Sequence, residues 1–189
     1  MVLQLLLESK NTAVFGVQAI SDTVIVTCNS HDKIAEFVET LKKVFISFLK
    51  RNLFIRGGVA YSKHFQSGRI TYSHAVAKAY EIESKLSIYP RIVFDENIIN
   101  MYKTSSTLAG LLGTESVLER NGTYFLDILD YDNWPVVYEC AKSLYEKDKD
   151  LIERNEQAFL KHVWFENYLF SSMYGDPAKE RYIDAARHV

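Results

Sequence analysis

Two apolar runs, Ala13–Ile20 and Thr23–Cys28, are separated by only two residues, Ser21-Asp22. A connection this short predicts an antiparallel hairpin, because a parallel pair needs a crossover of about a dozen residues or more. Val24, Ile25 and Val26 supply the β-branched side chains that suit a pleated, half-buried surface. The next segment must then cover a face of that hairpin. Ser30 can cap a helix with Asp32 in its first turn. Ile34, Phe37, Leu41, Val44 (or Phe45) and Phe48 recur at the three- and four-residue spacing of an amphipathic helix.

The rest of the chain alternates in the same manner. Val2, Leu3, Leu5, Leu6 and Leu7 read as the end of a helix, stopped around residues 9–11. Leu53–Tyr61 has strand character, interrupted by Gly57-Gly58. His74–Leu86 is helical, with Ala75, Ala79, Ile82 and Leu86 on one face. Pro90 breaks that pattern, Arg91–Phe94 is a short strand, and Asp95 caps a short helix. Residues 103–114 form a small, polar loop, and Asn121-Gly122 joins two strands as a hairpin turn. From Pro135 a long helical stretch runs to about Tyr174, where Gly175 and Pro177 stop it. The charged patch Glu146–Asp150 marks a place for it to bend or split. This order predicts an α+β protein of the ferredoxin or palm kind, an antiparallel sheet with helices. It divides into a sheet-containing part over 1–130 and a helical tail over 131–189.

Composition narrows the function classes. A net charge of -2 leaves no electrostatic footprint for non-specific nucleic-acid binding. No apolar run approaches the ~20 residues of a membrane span, and the start lacks the pattern of a signal peptide. Cys28 and Cys140 stand far apart with no metal-binding spacing, as expected of plain thiols in a reducing cytoplasm. The histidines are scattered, and neither a phosphate loop nor a GxSxG motif occurs. Asp22 on its two-residue turn has two readings. Ser and Asp make good turns with no further role, and a carboxylate at a rigid hairpin tip can also hold a hard cation against phosphate. Arg56-Gly57-Gly58 is equally open, either a bulge or a place where backbone or ligand approaches closely.

Taken in order, "AISDTVIVT", an amphipathic helix, "FIRGGVAYSKHF" and "ITYSHAVAKAYEIESKLSIYPRIVFDENI" resemble the class III nucleotidyl cyclase domain. The nearest likeness is to the bacterial pyrimidine cyclases of Pycsar-type antiphage systems. It covers about Ala13–Leu129, and "LKHVWFENYLFSS" resembles the Lys-x-x-Trp-x-x-x-Tyr helix that closes such chains. The resemblance implies a cytoplasmic enzyme converting UTP or CTP to a 3′,5′-cyclic nucleotide second messenger for antiviral defence, with Mn²⁺ or Mg²⁺, as a homodimer. In the family two Asp residues hold two metals on the triphosphate, and Asp22 matches the second. Gln18 and Ile70 match the base-reading positions, and Arg120 matches a basic residue that meets phosphate.

The chain also departs from the pattern. The first metal Asp belongs to a strand that precedes a helix and then this hairpin, and only 12 residues stand before Ala13. A strand of about five residues and a helix of about 11 do not both fit there, so the palm lacks its first β-α unit. An Asn and an Arg that stabilise the transition state correspond to Ala77 and Glu81, and the glycine opening that helix is Ser73. Three readings are open: a cyclase whose start lies further upstream, a pseudocyclase that binds nucleotide or a partner without chemistry, and an unrelated α+β interaction domain.

Overall fold

A computed structural model describes residues 15–30, 33–67, 70–103 and 116–183. The chain is α+β. Strands β1 (Phe15–Ile20) and β2 (Thr23–Cys28) pair antiparallel in unbroken register, Ile20 opposite Thr23, as the two-residue connection predicts. Ser21 takes a φ of 57° to close the turn. Helix α1 (Ile34–Leu49) buries Phe37, Val38, Leu41, Val44, Phe45 and Leu49. Ile34 only flanks the core, and Leu49, not Phe48, completes the buried face. Ser30 does not cap this helix. Lys33 holds the N-cap position without a side-chain cap, and the Ser30 carbonyl accepts the Lys33 N–H instead.

The strand expected over Leu53–Tyr61 contracts to β3 (Gly57–Val59), because Phe54 and Ile55 turn into the core before it. Next comes a hairpin that periodicity alone did not reveal, β4 (His64–Ser67) with β5 (Ile70–Ser73), followed by α2 (His74–Leu86). Ser73 is the N-cap of α2, its Oγ accepting the Val76 N–H at 3.0 Å. Ile82 is buried beneath α2, but Leu86 is exposed at its end, outside the apolar face. Strand β6 (Ile92–Phe94) and α3 (Glu96–Lys103) come next, with Asp95 Oδ1 accepting the Asn97 N–H. Strands β7 (Val117–Arg120) and β8 (Thr123–Leu126) close on Asn121 and Gly122, both at positive φ (53° and 72°). That pair of dihedrals is the type I′ hairpin turn.

The expected single antiparallel sheet is instead three sheets among the described residues. β1–β2 and β4–β5 are separate two-stranded ribbons, and the main sheet runs β3-β6-β8-β7. In it β3 and β6 are parallel, while β6–β8 and β7–β8 are antiparallel. The parallel pair is the physical consequence of α2 lying between β3 and β6 in the chain and crossing over from one to the other. Gly58 lets α2 come close: a Cβ there would strike the Ala79 carbonyl and lie 3.0 Å from the Ile82 Cβ. Close backbone approach therefore accounts for Gly58, whereas a Cβ at Gly57 would make only ordinary contact with the Ile92 side chain.

The long C-terminal stretch breaks at its charged patch into α4 (Trp134–Lys147), α5 (Lys149–Ile152) and α6 (Glu156–Phe170). Asn155 restarts the helix as N-cap, accepting the Ala158 N–H at 3.0 Å. One hydrophobic core joins α1, the main sheet, α4 and α6, with Phe45, Phe125, Trp134 and Phe165 at its centre. The tail aromatics therefore pack within their own chain: Phe165 stacks on Phe45, and Trp164 stacks between Tyr89 and Tyr168. Among the described residues no helix is long and apolar enough to cross a membrane. Val2–Leu7, Asp32 and the loop expected after Lys103 lie outside the described residues.

Candidate functional site

Asp22 sits at the tip of the β1–β2 hairpin, exposed, where the tight turn leaves its carboxylate no neighbour to bond among the described residues. Gln18 lies on the same hairpin, opposite Ile25 and half-exposed. Ile70 opens β5 opposite Ser67, in a different sheet. Arg120 ends β7 opposite Thr123, in the main sheet. Only Gln18 and Asp22 thus share an element. No hydrogen bond, ion pair or ring contact among the described residues joins any two of the four.

Arg120 is the best supported of them. Its guanidinium donates to Ser171 Oγ at 2.5 Å and lies over the Phe125 and Tyr168 rings at 6.0 and 5.9 Å. Such stacking holds a planar cation in place while leaving donors for an anion. Ala77 and Glu81 face outward on α2. Glu81 is engaged by Lys85 at 2.6 Å, and that hydrogen bond holds its carboxyl below the ordinary range. Neither residue supplies the donor that a pentavalent phosphate would need at these positions.

Three polar centres are not legible in the sequence, because each is assembled from residues far apart along the chain. Asp127, just after β8, is 3% exposed, with Oδ1 accepting the Tyr168 hydroxyl and the Leu129 N–H. Burial pushes the Asp127 carboxyl up, and burial together with the Asp127 charge raises the Tyr168 phenol well above its ordinary value. Arg91 is half-buried among Tyr89, Phe125 and Trp164, its guanidinium 5.4–5.7 Å from the three ring centroids. Its Nη2 donates to the Leu86 carbonyl at 2.8 Å, while its Nε is buried without a partner. Glu166, 3% exposed on α6, accepts from the segment beyond the helix. Each of these ties the tail to the sheet or to itself.

The described residues do not fit a pair of divalent metals. Two ions on a triphosphate need at least two converging carboxylates, and among the described residues Asp22 has no second carboxylate beside it. Among the described residues no group of three or more His, Cys, Asp or Glu side chains could hold a metal ion. Nor is there a poised thiol: Cys28 Sγ donates to the Ser30 carbonyl at 3.2 Å, and burial pushes the Cys140 thiol up. What the arrangement offers is one solvated carboxylate on a hairpin tip and one aromatic-supported guanidinium on another. No protein-family model, no curated protein and no solved structure matches the chain.

Proposed function

We propose that this chain is a cyclase-related subunit that binds a pyrimidine nucleoside triphosphate, UTP or CTP, and that the 189-residue polypeptide does not itself cyclise it. The observation that carries the reading is the solitary Asp22 carboxylate at the tip of a two-residue hairpin. In the kinship this position would meet a triphosphate-bound metal, and among the described residues no second carboxylate is grouped with it for catalysis. The order of elements supports the kinship: hairpin, helix, Gly-Gly strand, helix, short strand and closing hairpin all form. In this reading Arg120 meets phosphate, and Gln18 and Ile70 stand toward the base. A homodimer, a cytoplasmic setting and a role in antiphage signalling come with the kinship alone.

A second reading, an active cyclase using Mn²⁺ or Mg²⁺, has one observation in its favour. Among the described residues β3 pairs only with β6, so Gly58 turns its N–H and carbonyl toward an edge where no other described strand of the sheet lies. A further strand pairing there could bring the missing carboxylate. The test is to offer the purified chain Mn²⁺ with UTP, CTP, ATP or GTP. Binding is measured by calorimetry and product by chromatography. UTP or CTP should bind, more weakly after Arg120→Ala, without cyclic product. Binding of none of the four would overturn the proposal. Robust turnover abolished by Asp22→Asn would establish the second reading in its place.

A further inference from the structure

Residues 148–155 form a joint between two long helices. Asp148 ends α4 and opens α5, a single turn, and Asn155 caps the start of α6. Ile152 is the one buried residue of α5; Lys149, Asp150 and Leu151 are exposed. It enters a small apolar cluster with Tyr145 and Ile183, distinct from the main core, with Phe159 and Tyr182 packed around it. His162 of α6 stands between the two. Its ring meets Phe54, which packs against the main core, at 4.9 Å, and Tyr145 of the small cluster at 5.7 Å. Its Nε2 reaches the joint itself, 3.3 Å from Asp148 Oδ2, while its Nδ1 is buried without a partner among the described residues.

A carboxylate only accepts, so Nε2 carries the proton of the neutral ring and Nδ1 keeps a lone pair. A second proton makes Nδ1 a donor as well, in a place with nothing to receive it, and a buried, unmatched donor on a cation is costly. The groups that face the ring do not remove that cost. Burial outweighs the favourable charge of Asp148, which already serves Nε2, and Lys161 beside it on α6 repels the imidazolium. Tyr145 of α4 meets the ring edge-on, Tyr182 of the C-terminal segment touches Tyr145, and the Phe54 side chain has no polar atom. On α5, Lys149 is paired with Glu146, and Asp150 is exposed. Relief requires water at Nδ1, and of the elements packed on the ring the joint is anchored least, by Ile152 and the Asp148 contact.

We propose that His162 is an acid-sensitive latch: once protonated, it releases the joint of residues 148–155 and opens the small cluster while the main core stays folded. The latch is independent of the nucleotide reading. It is fully closed above the ordinary histidine pKa of about 6.5 and yields progressively as the pH falls below it. The test is hydrogen–deuterium exchange of the full chain at pH 7.5 and pH 5.5, with labelling times scaled for the intrinsic exchange rate. Amides of residues 148–155 should exchange about fivefold faster at pH 5.5, and at most about tenfold, the limit that one histidine sets over this interval. Those of β6 and β8 should not change. His162→Phe should abolish the gain at the joint. Asp148→Asn keeps an oxygen acceptor for Nε2 but removes the charge that favours the imidazolium, so it should enlarge the gain toward tenfold. This partly exposed position also keeps the test decisive should His162→Phe fail to fold. A native gain below about twofold, an equal gain in β6 and β8, a gain that survives His162→Phe, or indifference to Asp148→Asn would each overturn the latch.

Discussion

His162 is 2% exposed, its ring packed against Phe54 and Tyr145 and its Nε2 3.3 Å from Asp148 Oδ2. Burial disfavours the imidazolium and lowers the pKa below its ordinary 6.5, while the Asp148 hydrogen bond pulls the other way. A depressed folded value means that the stability contributed is fully present above the unfolded pKa. It is lost as the pH falls through the folded one. The urea midpoint should therefore drop from about pH 7.5 to about pH 5.5. His162→Phe, which keeps a ring in the same apolar pocket, should flatten that part of the profile; an equally steep loss in the variant would clear His162 of responsibility. Asp127 has the opposite sign. Its raised pKa contributes stability that is present below the ordinary carboxylate value of 3.8 and lost as the pH rises through the folded value. Arg91 carries a different constraint at the same scale. Three aromatic rings and a carbonyl surround its planar guanidinium, a setting that a lysine ammonium could not reproduce.

Helix α2 rests on β3 through the absent side chain of Gly58, so the methyl of Gly58→Ala must push the Ala79 carbonyl away. Displaced backbone relaxes poorly, and the variant should lose about 2–3 kcal/mol in chemical denaturation. A loss below about 0.5 kcal/mol would mean the helix can slide freely. The sequence carried this element well. Its limits, His74 and Leu86, are set by the spacing of Ala75, Ala79 and Ile82 and by a serine placed to cap it. Asn121-Gly122 was equally legible, because only a few residue pairs accept two successive positive φ angles. The β4–β5 ribbon escaped because His64–Ser67 and Ile70–Ser73 are four residues each, too short for alternation to stand out. Of the candidate site, Asp22 at a hairpin tip could be read from two flanking runs. Whether Ile70 or Arg120 stands near it could not, since that depends on how three ribbons of chain are laid together. Glu166 was illegible for the same reason: its partners lie 15 to 17 residues away, beyond the helix that carries it.

At the scale of the molecule, the tail is part of the core. Phe165, fully buried, stacks on Phe45 of α1 at 6.1 Å and meets Phe54 at 5.0 Å, and Trp134 Nε1 donates to the Leu169 carbonyl at 3.0 Å. Phe165→Ala should therefore cost about 3–5 kcal/mol and lower a single cooperative transition. Two separate transitions, with the sheet's unchanged, would show the tail folding on its own. The β1–β2 hairpin is the contrasting case. Among its described side chains Val26 and Cys28 pack against the core, and apart from Asp22 at its tip the ribbon is uncharged. A two-stranded ribbon so held is only marginally stable by itself. Its amides should exchange with deuterium well before those of β6 and β8, through openings that leave the core intact; protection equal to that of β8 would refute this. The consequence falls on Asp22. Any ligand that it grips must first freeze the ribbon beneath it, so part of the binding enthalpy is surrendered as lost conformational entropy. A second ligand or partner that has already stilled the ribbon would remove that penalty, making the two bind cooperatively without either touching the other.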